Sequence, residues 1–97
     1  MNNKIKLLII TLFIGVNLFA QDVGNELAAT LFDEGKYSAA QSLFSKKMAD
    51  GTADEYDYYC NARCSKELFA ADAVYLYEEF LADFPSSKFK SLVNEDL

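Results

Sequence analysis

Cys60 and Cys64 are the residues of this 97-residue chain whose type and spacing most invite chemistry. Four positions apart on a helix, they share a face with Cβ atoms ~5–6 Å apart, whereas a disulfide needs about 3.5–4.5 Å, so an intact helix resists bridging them. Two thiolates without further ligands also make a poor zinc site. The expectation is a pair of small residues in a helical core. Two alternatives stand beside it, a disulfide that distorts the helix or uses another chain, and a metal or redox centre. An oxidising compartment keeps the disulfide in play.

The carboxylates are the other candidates. Glu78 and Glu79, or Asp54, Glu55 and Asp57, sit close in sequence. Adjacent acids on a helix diverge, however, and such runs read as solvated faces or helix-start charges rather than acid-base pairs. The chain has no His and no Trp. Without His the usual neutral-pH base is missing, and a Ser-His-Asp or Cys-His arrangement cannot be assembled from this chain alone. Asp50-Gly51-Thr52-Ala53-Asp54 lacks the remaining ligands and closing Glu of a calcium loop. The expectation is a protein that is not an enzyme, with no catalytic residues, no metal and no cofactor.

The elements that position these residues begin after a distinct leader. Lys4 and Lys6 form a basic start, Leu7 to Val16 is an apolar or neutral run, and Leu18-Phe19-Ala20 ends on a small residue suited to cleavage. This pattern predicts a secretory signal peptide over 1–20. The run falls short of the roughly 20 residues that cross a bilayer, and Gln21-Asp22 follows instead of a basic stop-transfer patch. The predicted mature part, 21–97, carries no integral membrane span. It holds seven Lys or Arg against fifteen Asp or Glu, a formal charge of −8, because Lys4 and Lys6 are the only charged residues of the leader. That balance argues against nucleic acid and against anionic lipid.

Apolar residues recur at helical spacing throughout 21–97. Leu27, Ala28, Leu31 and Phe32 form a stripe that ends at Gly35, a helix-stop residue. Tyr37, Ala40, Phe44 and Met48 form the next, ending at the Asp50-Gly51 turn. Thr52-Ala53-Asp54-Glu55 has the form of a capping box opening a third helix. Its stripe of Tyr56, Cys60, Cys64 and Leu68 is followed by Ala70, Ala73, Val74, Tyr77, Phe80, Leu81 and Phe84. A turn without Gly or Pro is expected within 67–71, since one helix through both stripes would be unusually long. Pro85 ends the fourth helix. Ser86 or Ser87 is expected to cap a fifth, with Phe89, Leu92 and Val93 on one side.

The pattern Tyr37-x-x-Ala40-x-x-x-Phe44 returns 33 residues later as Ala70-x-x-Ala73-x-x-x-Tyr77. Such an interval marks helix pairs that stack on their neighbours. On these residues, together with Gly35 and Pro85, the chain resembles the tetratricopeptide repeat family, and Tyr77 to Ser87 is similar to repeats of bacterial envelope proteins. The leader ending in Phe19-Ala20-Gln21 is also similar to those of Bacteroidota. The resemblance implies an all-α fold of two stacked antiparallel helix pairs, about 22–52 and 53–86, plus the first helix of a third pair in 87–97. It further implies a groove lined by first helices, at Asn25, Phe32, Tyr58, Ala62 and Lys66, that receives a protein or peptide partner. The family's basic clamp for C-terminal carboxylates has no counterpart here. Two pairs fall short of the roughly three that bury their faces, so the expectation extends to an N-terminal piece of a longer array.

The functional expectation is a scaffold exported to the periplasm or outer-membrane surface. Two other readings stand against it. One is a small secreted thiol or metal protein using Cys60 and Cys64; the other is a structural homo-oligomer assembling through Phe89, Leu92 and Val93.

Overall fold

The computed structural model describes residues 26–97. The expected signal peptide and Asn25 lie outside the described residues. Helical residues 26–33 (α1), Tyr37–Ala49 (α2), Glu55–Glu67 (α3), Ala73–Asp83 (α4) and Lys90–Asp96 (α5) account for the regular structure. There is no strand among the described residues.

The same device closes the first three helices. In each, a residue with positive φ follows the helix, at Gly35 (78°), Gly51 (74°) and Phe69 (56°). Its amide bonds a carbonyl three residues back, and the next amide reaches one five residues back: Gly35 to Phe32 and Lys36 to Leu31, Gly51 to Met48 and Thr52 to Lys47, Phe69 to Lys66 and Ala70 to Ser65. This paired bonding satisfies carbonyls that a helix end otherwise leaves open. The expected break within 67–71 is therefore present, but its left-handed residue is Phe69, not Leu68, which aligns with Gly35 at the 33-residue interval.

A bulky residue in that conformation carries a steric cost of about 1–2 kcal/mol, and Phe69 recovers nothing from packing because it is 96% exposed. Replacing Phe69 with Gly removes the clash at a chain-entropy cost of about 0.5–1 kcal/mol. The expected result is a gain of about 0.5–1 kcal/mol, visible as a thermal midpoint several degrees higher at about 4–8 °C per kcal/mol. Phe69→Ala keeps the strain, and an equal rise for it means that strain is not the cause.

Two helix starts differ from expectation. Asp54, not Thr52, caps α3: its carboxylate accepts the Asp57 amide (3.0 Å), and the Asp57 carboxylate accepts the Asp54 amide (2.9 Å). Thr52 is already committed to closing α2, its amide and hydroxyl both donating to the Lys47 carbonyl. At the other end, Ser87 Oγ accepts the Phe89 amide (3.0 Å) and donates to Glu55 Oε1. It caps the turn before α5, while Phe89 itself precedes the helix without a side-chain cap.

Each helix from α2 on packs against the next. The core follows a continuous chain of rings. Phe44 of α2 meets Tyr56 of α3 (6.4 Å between centroids), Tyr56 meets Phe89 (6.1 Å), and Phe89 stacks on Tyr59 (4.6 Å). Tyr59 then meets Phe80 of α4 (6.0 Å), which leads through Phe84 back to Tyr58. Edge-on and offset ring pairs of this kind add to ordinary burial. Of the repeat-signature residues, Ala40, Phe44 and Tyr77 are fully buried, and Tyr37 and Ala73 are half-buried. Pro85 is exposed just beyond α4.

The C-terminal stripe is docked rather than bare. Val93 is fully buried and Phe89 lies on Tyr59, which leaves Leu92, at 43% exposure, as the outward member.

Candidate functional site: a polar cleft over α3

The two thiols lie inside. Cys60 and Cys64 are free and fully buried on the core face of α3. Burial pushes the Cys60 thiol up to about 12 and the Cys64 thiol up to about 11, since a thiolate is poorly solvated there. The nucleophilic and metal-binding form is thus suppressed at neutral pH. Among the described residues no group of three or more His, Cys, Asp or Glu is placed to hold a metal ion.

The sign of the pH effect follows. Folded thiols keep their protons while unfolded ones lose them above about 9, so the unfolded state binds fewer protons there and stability falls as pH rises. We expect the native protein to react with Ellman's reagent only on unfolding near neutrality, and to lose stability progressively between pH 9 and 12. Fast stoichiometric labelling of the folded protein at neutral pH contradicts this burial.

The polar chemistry lies along the α2–α3 seam and opens beside it. Asp57, Asn61 and Ser65 recur every fourth residue on α3, and all three are buried. Lys47 Nζ of α2 contacts Asp57 Oδ1 (2.6 Å), Ser45 Oγ donates to Asn61 Oδ1 (3.2 Å), and Gln41 Nε2 donates to both the Asn61 carbonyl (3.1 Å) and Ser65 Oγ (2.6 Å). Buried polar groups are tolerated only when paired in this way.

Above Asn61 the surface is concave, with two adjoining cavities of about 420 and 250 Å³ that share Asn61 and Leu76 in their linings. Helix α2 contributes Ser38, Gln41, Ser42 and Ser45 to the larger cavity and Met48 to the smaller. Asp72, just before α4, lines the larger cavity, and α4 contributes Glu79, Phe80 and Asp83 to the smaller. Tyr58 joins Asn61 as the α3 contribution. Positions 76, 79 and 83 share one face of α4, and Asp72 directly precedes its first turn.

The groove expected from the resemblance maps differently. Phe32 packs edge-on against Tyr37 (5.7 Å) and Phe44 (6.2 Å) in the α1–α2 seam. Ala62 is buried and offers no surface. Lys66 reaches Asp96 of α5 (3.0 Å). Tyr58 alone of the described four lines the cleft. The cleft's own residues, Asn61 and the acids of α4, escape a reading that follows apolar stripes. Their available signal is the fourfold spacing of Asp57, Asn61 and Ser65, matched by Gln41 and Ser45 one helix earlier.

The chain matches no protein-family model, no curated protein and no solved structure. Among the described residues no helix is long and apolar enough to cross a membrane.

Proposed function

We propose that this chain is a non-enzymatic docking scaffold of the cell envelope, exported by its N-terminal leader and built from tetratricopeptide-like helix pairs, which holds a protein or peptide partner in a groove between helices. The observation that carries this reading is the division of chemistry within the fold: the thiols are sealed in the core while a polar cleft between successive helices remains open. Helices packed in series offer such grooves repeatedly, and a partner gains affinity from an extended concave surface. A thiol or metal function is disfavoured by burial that opposes thiolate formation at both cysteines.

The test places a photo-crosslinking amino acid at Phe32, Tyr58, Lys66 or Leu76 in intact cells. The expected result is capture of one defined envelope protein, dependent on position and retained in a Cys60→Ala/Cys64→Ala variant. Position-independent labelling, or loss of capture in a cysteine variant that keeps its helical circular dichroism, overturns the proposal.

A further inference from the structure

We propose that the cleft between α2 and α4 receives an extended peptide segment bearing Lys or Arg, its cations on Asp72, Glu79 and Asp83 and a main-chain carbonyl on the Asn61 side-chain amide. The inference rests on the scaffold reading and names the chemistry of its partner.

Charge complementarity gives the first argument. The three carboxylates line the cleft, Glu79 and Asp83 on one face of α4 and Asp72 just before it, and among the described residues no basic residue lines either cavity. Among the described residues every Lys or Arg ion pair is made with Glu34, Asp57, Glu67 or Asp96. Asp72, Glu79 and Asp83 take part in none of them. Asp72 stands just before α4 yet makes no capping hydrogen bond, and among the described residues Glu79 accepts only the Tyr75 hydroxyl (3.2 Å). Like charges along one wall repel, and a bound cation relieves that repulsion.

Asn61 gives the second. It is 5% exposed and lines both cavities. Its Oδ1 is occupied by Ser45, while its Nδ2 donates to no described residue. No side-chain nitrogen or oxygen among the described residues is both buried and unpaired, so the Asn61 amide nitrogen keeps some contact with solvent, on a residue that lines the cleft. An amide held by Ser45, whose nitrogen donates to no described residue, fits a carbonyl acceptor, which a peptide main chain supplies and a bare polyamine does not. The cavity volumes fall near the about 300–1,000 Å³ usual for ligand sites. Leu76, between the acids, supplies an apolar contact for a side-chain stem.

The experiment is fluorescence anisotropy of the purified full chain with a dye-labelled peptide of alternating Ala and Lys, against its Ala-Glu counterpart, at low salt where screening lengths exceed about 10 Å. The lysine peptide is expected to bind and the glutamate peptide not. Asp72→Asn/Glu79→Gln/Asp83→Asn should weaken binding about tenfold, whereas Glu26→Gln/Glu34→Gln/Glu95→Gln, with the same change in net charge, should weaken it less than about twofold. Asn61→Ala should weaken it several-fold, and Leu76→Arg, which fills the cleft from its surface, should do so even if Asn61→Ala unfolds. Equal loss in the two triple variants, or competition by spermidine as strong as by unlabelled peptide, overturns the inference. Capture in cells that survives neutralising Asp72, Glu79 and Asp83 leaves the scaffold standing and removes the cleft. Peptide binding in solution with no capture in cells does the reverse.

Discussion

Lys47→Ala is expected to remove a large share of the stability of this domain. Asp57 is 2% exposed, and its carboxylate serves two helices at once, with Oδ1 on Lys47 of α2 and Oδ2 on the Asp54 amide at the start of α3. Taking away the ammonium leaves a carboxylate buried beside one dipolar partner. Breaking one side of a buried pair costs about 3–5 kcal/mol, because the remaining charge is uncompensated. A domain of this size has a total of roughly 4–11 kcal/mol at about 0.05–0.15 kcal/mol per residue. In urea, the midpoint followed by circular dichroism should fall by about half or more, or the variant should be unfolded at the start. Asp57→Asn should cost less, since the amide oxygen can still accept the Asp54 amide and Lys47 lies nearer the solvent at 15% side-chain exposure. Combining Lys47→Met with Asp57→Asn should recover most of the loss. A Lys47→Ala variant within about 1 kcal/mol of the parent shows that the pair is solvated and the seam plastic.

That ion pair also marks the limit of what the amino-acid order reveals. Helix content and helix ends are legible because they are set by neighbours in the chain: Gly35 and Gly51 adopt the positive φ that ends a helix, and Phe44 and Tyr77 fall on the buried face their spacing implies. Competition between adjacent signals is less legible. Thr52 and Asp54 both suit a helix start, and only the demand of the α2 carboxyl end for an amide at position 52 assigns the cap to Asp54. Phe69 is harder still, since the turn between α3 and α4 forms through the paired hydrogen bonds at Lys66 and Ser65 despite a residue that opposes it. The cleft is the least legible feature. Asp57, Asn61 and Ser65 look solvent-facing by type, and their burial follows from partners on α2 that no local rule connects to them. Asp72, Glu79 and Asp83 become a wall only once α2 is set opposite them over α3.

Tyr77→Ala is the second substitution expected to have a large effect, and its comparison with Tyr77→Phe separates packing from polar anchoring. The ring is among the largest fully buried side chains, and its hydroxyl donates to Asp96 Oδ2 (2.8 Å) near the C-terminus of α5. Burial, reinforced by that hydrogen bond, raises the phenol far above its ordinary range, so the donor is present at all physiological pH values. Truncation to Ala should cost about 3–5 kcal/mol through lost contacts and a residual cavity. Tyr77→Phe removes only the hydroxyl, and Asp96 keeps its Lys66 partner at 3.0 Å, so the cost should be about 1 kcal/mol. That smaller loss should be local. Hydrogen exchange of α5 amides should quicken about fivefold while the centre of α3 is unchanged, because α5 is the element the bond ties down. Acid should act on the same element. Burial raises the Asp96 carboxyl, but the hydrogen bonds from Tyr77 and Lys66 and the Lys66 charge outweigh it and hold the net value below the ordinary 3.8. A depressed carboxylate contributes its stability above the unfolded pKa and loses it as pH falls through the folded one. Helix α5 should therefore loosen below about pH 4 in the parent, with a smaller additional change in Tyr77→Phe, where part of the anchor is already gone. Uniform quickening across all helices in Tyr77→Phe shows instead that the hydroxyl supports the whole core and that α5 has no separate tether.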